Sequence, residues 1–166
     1  MRVLLAYYSR TGVTQAAARA IAAALSDSCD VEVTLEEVVD TKSRKGTLGW
    51  LGAGKDALMK RQTVIAPPAT DPAEFDLLVI GSPVWAFKLA TPMQTYCDAY
   101  GRYAKAFAVF CTMGGSGDKG AFANAEHILG QSPVSMLTLI DKRVKSGDQE
   151  EFLDKVKAFA DAIIAS

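Results

Sequence analysis

The chain has 166 residues, of which 49% are hydrophobic and 22% charged, with a formal net charge of −1. That length suits a single domain, residues 1–166, with a sizeable core, and the mixture excludes a disordered chain and a membrane class. The balance of charge excludes a strongly basic nucleic-acid binder. Cys29, Cys97 and Cys111 are odd in number and contain no C-x-x-C, which argues against a disulfide framework and a zinc site and implies a reducing compartment. No apolar run approaches the ~20 residues of a membrane span. Val3 to Tyr8 is too short for the core of a signal peptide, so a cytoplasmic protein is expected.

The run Val3 to Tyr8 is continuously apolar, as in a central parallel strand covered on both faces. Ser9, Arg10, Thr11, Gly12, Val13 and Thr14 follow, and the chain then opens onto an alanine-rich helix. Three hydroxyls, a glycine and the unpaired amides of a helix start converge there, an arrangement that cradles an anion. The competing reading is an ordinary turn with a threonine N-cap.

Val31, Val33 and Leu35 alternate with Glu32, Thr34 and Glu36, the pattern of an edge strand. Leu77 to Ile80, ending at Gly81, and Ala104 to Cys111 are continuous apolar runs that belong inside a sheet, and Val134 to Ile140 makes a fifth strand. Helical patterns separate them, with Met93, Tyr96, Cys97 and Tyr100 on one face, and Phe152, Val156, Phe159 and Ile163 on another. Strands alternating with helices imply right-handed βαβ units and a parallel sheet. Ligand chemistry then belongs at the carboxyl ends of strands 1, 3 and 4, where the loops Ser9 to Thr14, Ser82 to Thr91 and Thr112 to Lys119 emerge.

Thr41 to Val64 departs from the rest. Six Lys and Arg face one acid, Asp56, so the segment carries +5 and the remainder −6. It reads either as a crossover helix with Leu48, Leu51 and Leu58 on the sheet or as a patch for an anionic partner. Within it, Gly49 to Asp56 falls one residue short of a Walker A motif, but Asp56 replaces the magnesium-holding hydroxyl and no strand precedes it. Gly115, Gly117 and Gly120 satisfy G-x-G-x-x-G, with Asp141 closing the next strand, although they begin several residues past the strand end. His127, the only histidine, reads as a surface residue, and Cys111 as packing rather than a nucleophile.

The string S-x-T-G-x-T at Ser9 to Thr14 resembles the phosphate loop of the flavodoxin family, which holds the 5′-phosphate of FMN, with Arg10 adding a positive charge here. G-S-P-V-W-A at Gly81 to Ala86 resembles that family's loop beside the isoalloxazine ring, which places Pro83, Val84, Trp85, Ala86 and Phe87 against the flavin. By the same resemblance Thr112, Met113, Gly114, Gly115, Ser116 and Gly117 form the second ring loop. The fold implied is a single flavodoxin-like three-layer α/β sandwich, its five-stranded parallel sheet in the flavodoxin order 2-1-3-4-5 with helices on both faces.

Many family members have a glycine close behind the tryptophan, whose peptide flips toward flavin N5 on one-electron reduction. Ala86 and Phe87 stand here instead, and positive φ costs more without glycine. That departure, together with a net charge far from the acidic surface of dedicated electron carriers, points to an FMN-dependent oxidoreductase taking hydride from NAD(P)H to a quinone or similar small acceptor. No metal and no catalytic side chain is expected, since the flavin carries the chemistry. The alternatives are a non-enzymatic electron carrier docking on redox partner proteins and a flavin-free binding module on the same fold.

Overall fold

A computed structural model describes residues 1–41, 63–145 and 149–166. Its sheet is built from β1 (Arg2–Tyr7), β2 (Glu32–Glu37), β3 (Leu77–Trp85), β5 (Phe107–Met113) and β6 (Met136–Ile140), all parallel in the order β2-β1-β3-β5-β6. A two-residue strand, β4 (Lys88–Leu89), turns back antiparallel on the end of β3. The expected order holds, with the third and fourth crossovers reaching β5 and β6.

Alternation along the strands sends side chains into two cores. Leu4, Ala6, Leu78, Ile80, Phe107 and Val109 face α2 (Thr91–Ala99) and α3 (Asp118–Leu129), which contribute Met93, Tyr96, Cys97, Ala121, Ala125 and Leu129. Val3, Leu5, Leu77, Val79, Ala108 and Phe110 face α1 (Val13–Ser26) and α5 (Gln149–Ile164). Those helices supply Ala17, Ala18, Ile21, Leu25, Val156, Phe159, Ala160 and Ile163. A short α4 (Asp141–Lys145) links β6 to α5. The arrangement is a three-layer sandwich. Among the described residues, no helix is long and apolar enough to cross a membrane.

Two central strands approach closely at Gly81. A Cβ there would lie 2.3 Å from Cζ of Phe110 and 2.9 Å from Cβ of Tyr7, so the Phe110 ring fills the space a side chain would need.

Strand ends differ from the sequence expectation, by one residue at β1 and β2 and by more further along. The fourth run was expected from Ala104 and the fifth from Val134, but Ala104 closes a 3-10 turn (Gly101–Tyr103), and β6 begins at Met136. More consequential is β3, which does not stop at Gly81. Ser82 keeps it extended: its hydroxyl donates to the Pro83 carbonyl at 2.9 Å and accepts from Ala90 N–H at 2.9 Å, tying the outgoing strand to the returning one. Ser82 to Thr91, expected as a loop, is therefore a strand end, a hairpin and the start of α2.

Ala86 and Phe87 are the two residues of the hairpin loop, and both have positive φ, +47° and +63°. Neither is the glycine that adopts such angles at least cost. Of the two-residue connections that match the twist of the strands, the type I′ turn has positive φ at both central positions. The hairpin imposes that geometry at a cost of about 1–2 kcal/mol per residue.

Residues 42–62, which hold the charges of the basic segment, its proposed crossover helix and its Walker-like string, lie outside the described residues, but the flanking residues are bonded to one another. Asp40 and Ile65 form an antiparallel bridge, Thr41 N–H donates to Val64 O and Ala66 N–H to Val39 O at 2.9 Å each, and the Thr63 hydroxyl donates to Asp40 Oδ1 at 2.9 Å.

Candidate functional site

The carboxyl edge of the sheet brings together the loop after β1, the β3–β4 hairpin and the loop after β5. The first loop begins at half-buried Ser9 and Arg10 and reaches exposed Thr11 and Gly12. Ser9 Oγ accepts from Gly12 N–H at 3.1 Å, closing the turn. Gly12, at φ +85°, is the N-cap of α1 and no side chain caps the helix, so the threonine-cap reading does not hold. The first helical bond runs from Ala16 N–H to Gly12 O at 2.9 Å, which leaves the amides of Val13, Thr14 and Gln15 ahead of it. A Cβ on Gly12 would meet nothing within 4 Å among the described residues.

Helix α3 begins in the same way, from Gly117 at φ +113° and without a side-chain cap. Charge separates the two helix starts. The first turn of α1 contains no acid, whereas that of α3 carries Asp118, whose Oδ2 accepts from the Thr138 hydroxyl at 3.0 Å. An anion is therefore favoured at α1 and opposed at α3. This argues against a pyrophosphate on the G-x-G-x-x-G glycines, and packing accounts for two of them. A Cβ on Gly120 would lie 2.4 Å from the Phe87 carbonyl oxygen, and one on Gly117 2.8 Å from Cγ1 of Val84. The hairpin rests directly on the start of α3, helped by Leu89 N–H donating to Asn124 Oδ1 at 3.3 Å.

Trp85 is half-buried and meets Tyr8 edge to face, with centroids 5.6 Å apart and planes at 87°. Pro83 and Val84 are half-buried strand residues, Ala86 is exposed, and Phe87 is 66% exposed at the tip. After β5, the exposed Gly114, Gly115 and Ser116 form the loop proper, and a Cβ on either glycine would meet nothing within 4 Å among the described residues. Thr112 and Met113, by contrast, are buried strand residues. Thr14 and Thr112 face each other, Oγ1 to Oγ1 at 2.8 Å.

Sequence reasoning did not single out Tyr8, Ser82 or Asn124 as positioning residues. Gly120 carried a signal, the glycine motif, but for a different reason. No nucleophile emerges among the described residues: burial pushes the Cys111 thiol up to about 12 and raises that of Cys97, and His127 is exposed. No group of potential metal ligands occurs among the described residues.

Known proteins answer to this geometry. The flavodoxin family profile matches residues 2–156. The chain belongs to the flavodoxin family. With that membership comes the coarse function, an FMN flavoprotein with a redox or electron-transfer role. Among solved structures, this flavodoxin is similar to a flavoprotein in complex with FMN from Lactobacillus acidophilus NCFM. The two share 26% identity and a TM-score of 0.69, over 87% of this chain and 96% of that one. A flavodoxin of Streptococcus pneumonia TIGR4 is 15% identical, covers 99% of each chain and has a TM-score of 0.63. An NAD(P)H:quinone oxidoreductase from Methanothermobacter marburgensis is 13% identical, with 99% and 97% covered and a TM-score of 0.59. The last two bear on the fold alone. Comparison with curated proteins returns no match.

Proposed function

We propose that this flavodoxin holds FMN across the three loops and works as an oxidoreductase, taking hydride from NAD(P)H and delivering it to a quinone or similar small acceptor. The observation that carries the cofactor assignment is the start of α1: an uncapped, acid-free first turn behind a left-handed glycine with no described neighbour over its Cβ position. In this reading Ser9, Arg10, Thr11, Gly12, Val13 and Thr14 hold the 5′-phosphate. Trp85, flanked by Pro83, Val84, Ala86 and Phe87, covers the ring and excludes water. Gly114, Gly115, Ser116 and Gly117 bring backbone amides to its polar edge, with Thr112 and Met113 behind them. The flavin, once bound, supplies the hydride and electron chemistry; the chain binds, orients and shields it.

For the reductase over a protein-docking carrier, the support is the net charge of −1, which gives little electrostatic steering toward a protein partner. The missing glycine no longer counts, because Ala86 and Phe87 hold positive φ without it. The test is a titration of flavin-stripped protein with FMN, followed by tryptophan quenching, with NAD(P)H then added. Submicromolar binding and rapid bleaching of the bound flavin are expected. Tight binding without bleaching replaces the reductase with the carrier, and no binding refutes the cofactor assignment.

A further inference from the structure

Two hydroxyls 98 positions apart meet behind the phosphate loop. Thr14, in the first turn of α1, is 2% exposed and Thr112, near the end of β5, is 1% exposed, and their Oγ1 atoms are 2.8 Å apart. The backbone of Thr112 is locked in the ladder between Pro83 and Leu139, so its hydroxyl is a fixed point of the sheet. Both residues are β-branched and restricted at χ1. A hydroxyl pair carries two protons, and the contact between them uses one. When Thr112 donates, a lone pair of Thr14 is occupied and the Thr14 proton is left to be donated elsewhere.

We propose that Thr112 is a positioning residue for the anion site: it touches no ligand, but its hydroxyl sets the rotamer and proton direction of Thr14, which donates to the phosphate of the bound flavin. The inference rests on the cofactor reading above and deepens it, since it ties phosphate recognition at α1 to the strand that leads into the second ring loop. A buried hydroxyl without this partner has no fixed direction. Thr14 then loses its donation to the anion although nothing in the loop itself has changed.

The experiment compares FMN with riboflavin, which lacks the phosphate, in a double-mutant cycle of Thr14→Val and Thr112→Val with Thr112→Ser as the conservative control. Dissociation constants come from flavin fluorescence on the full chain. Thr112→Val is expected to weaken FMN by about tenfold or more, the worth of one hydrogen bond to a charged group, and to leave riboflavin unchanged. Thr112→Ser retains FMN affinity, and Thr112→Val costs nothing further in the Thr14→Val background. Additive losses in the double variant, or equal weakening of FMN and riboflavin, overturn the proposal by making Thr112 a packing residue. Should Thr112→Val not fold, Thr14→Val and Thr112→Ser still decide: Thr14→Val must lose FMN selectively, and Thr112→Ser must keep it. If the unaltered protein binds FMN and riboflavin alike, the phosphate site fails and this inference with it; if it prefers FMN while the cycle is additive, only this inference fails.

Discussion

Replacing Gly120 by alanine sets two well-characterised effects against each other. The residue lies within α3, where alanine is favoured over glycine by about 1 kcal/mol. The added Cβ would sit 2.4 Å from the carbonyl oxygen of Phe87 and 3.2 Å from its Cβ. A tolerable C···O approach is about 3.3 Å or more, so α3 and the hairpin must separate by about 1 Å. The obstructing atom is backbone, in a turn whose two residues already have positive φ, so no flexible side chain can swing aside. Overpacking of this kind costs about 1–3 kcal/mol, which after the helical gain leaves a net loss near 1 kcal/mol and a fall in Tm of about 2–4 °C. Guanidinium denaturation monitored by circular dichroism measures it, and FMN affinity should weaken in parallel because the hairpin carries Trp85. A Gly120→Ala protein more stable than the parent by about 1 kcal/mol, with FMN affinity intact, would falsify the idea that this glycine exists to seat the hairpin.

Gly81→Ala should be more damaging, by about 2–3 kcal/mol, because the Phe110 ring occupies the place of its Cβ; pairing it with Phe110→Leu should recover part of the loss, as read by urea midpoints. Cys29 is exposed, whereas Cys97 and Cys111 are buried with thiols held protonated well above neutral pH, so a thiol reagent at pH 8 should titrate one group quickly and the other two only on unfolding. Asp76 accepts from Arg2 N–H and pairs with Lys105, which holds its carboxyl below the usual range. Its stabilisation is present above the unfolded pKa of about 3.9 and is lost as pH falls through the lower folded value. Asp76→Asn should therefore narrow its stability gap to the parent in acid, and a gap that widens below pH 4 would contradict the assignment.

The features readable from sequence were those written in continuous or periodic patterns. Val3 to Tyr8, Leu77 to Ile80 and the apolar faces of α2 and α5 declare themselves because burial on both sides or on one side leaves a period. The hairpin was opaque for a physical reason. Lys88 and Leu89 are too short to show alternation, and Ala86-Phe87 is not a pair that local preference would put in a primed turn. Tertiary packing against Gly117 and Gly120 overrides that preference, and the same packing turns a dinucleotide-like glycine string into a seat for a neighbouring strand. The threonine pair was invisible for another reason: its members are 98 positions apart, and each alone looks like a loop hydroxyl.

The Asp40–Ile65 bridge fastens together the two ends of the chain that runs between them. The cross-links from Thr41, Thr63 and Ala66 join the two strands of chain on either side of that bridge, so the closure is made by residues of the frame itself. Lengthening such a closed excursion costs little, about 0.6 kcal/mol for each doubling. The free energy of closing the chain between Asp40 and Ile65 therefore depends on the fastening at its two ends far more than on how many residues lie between them.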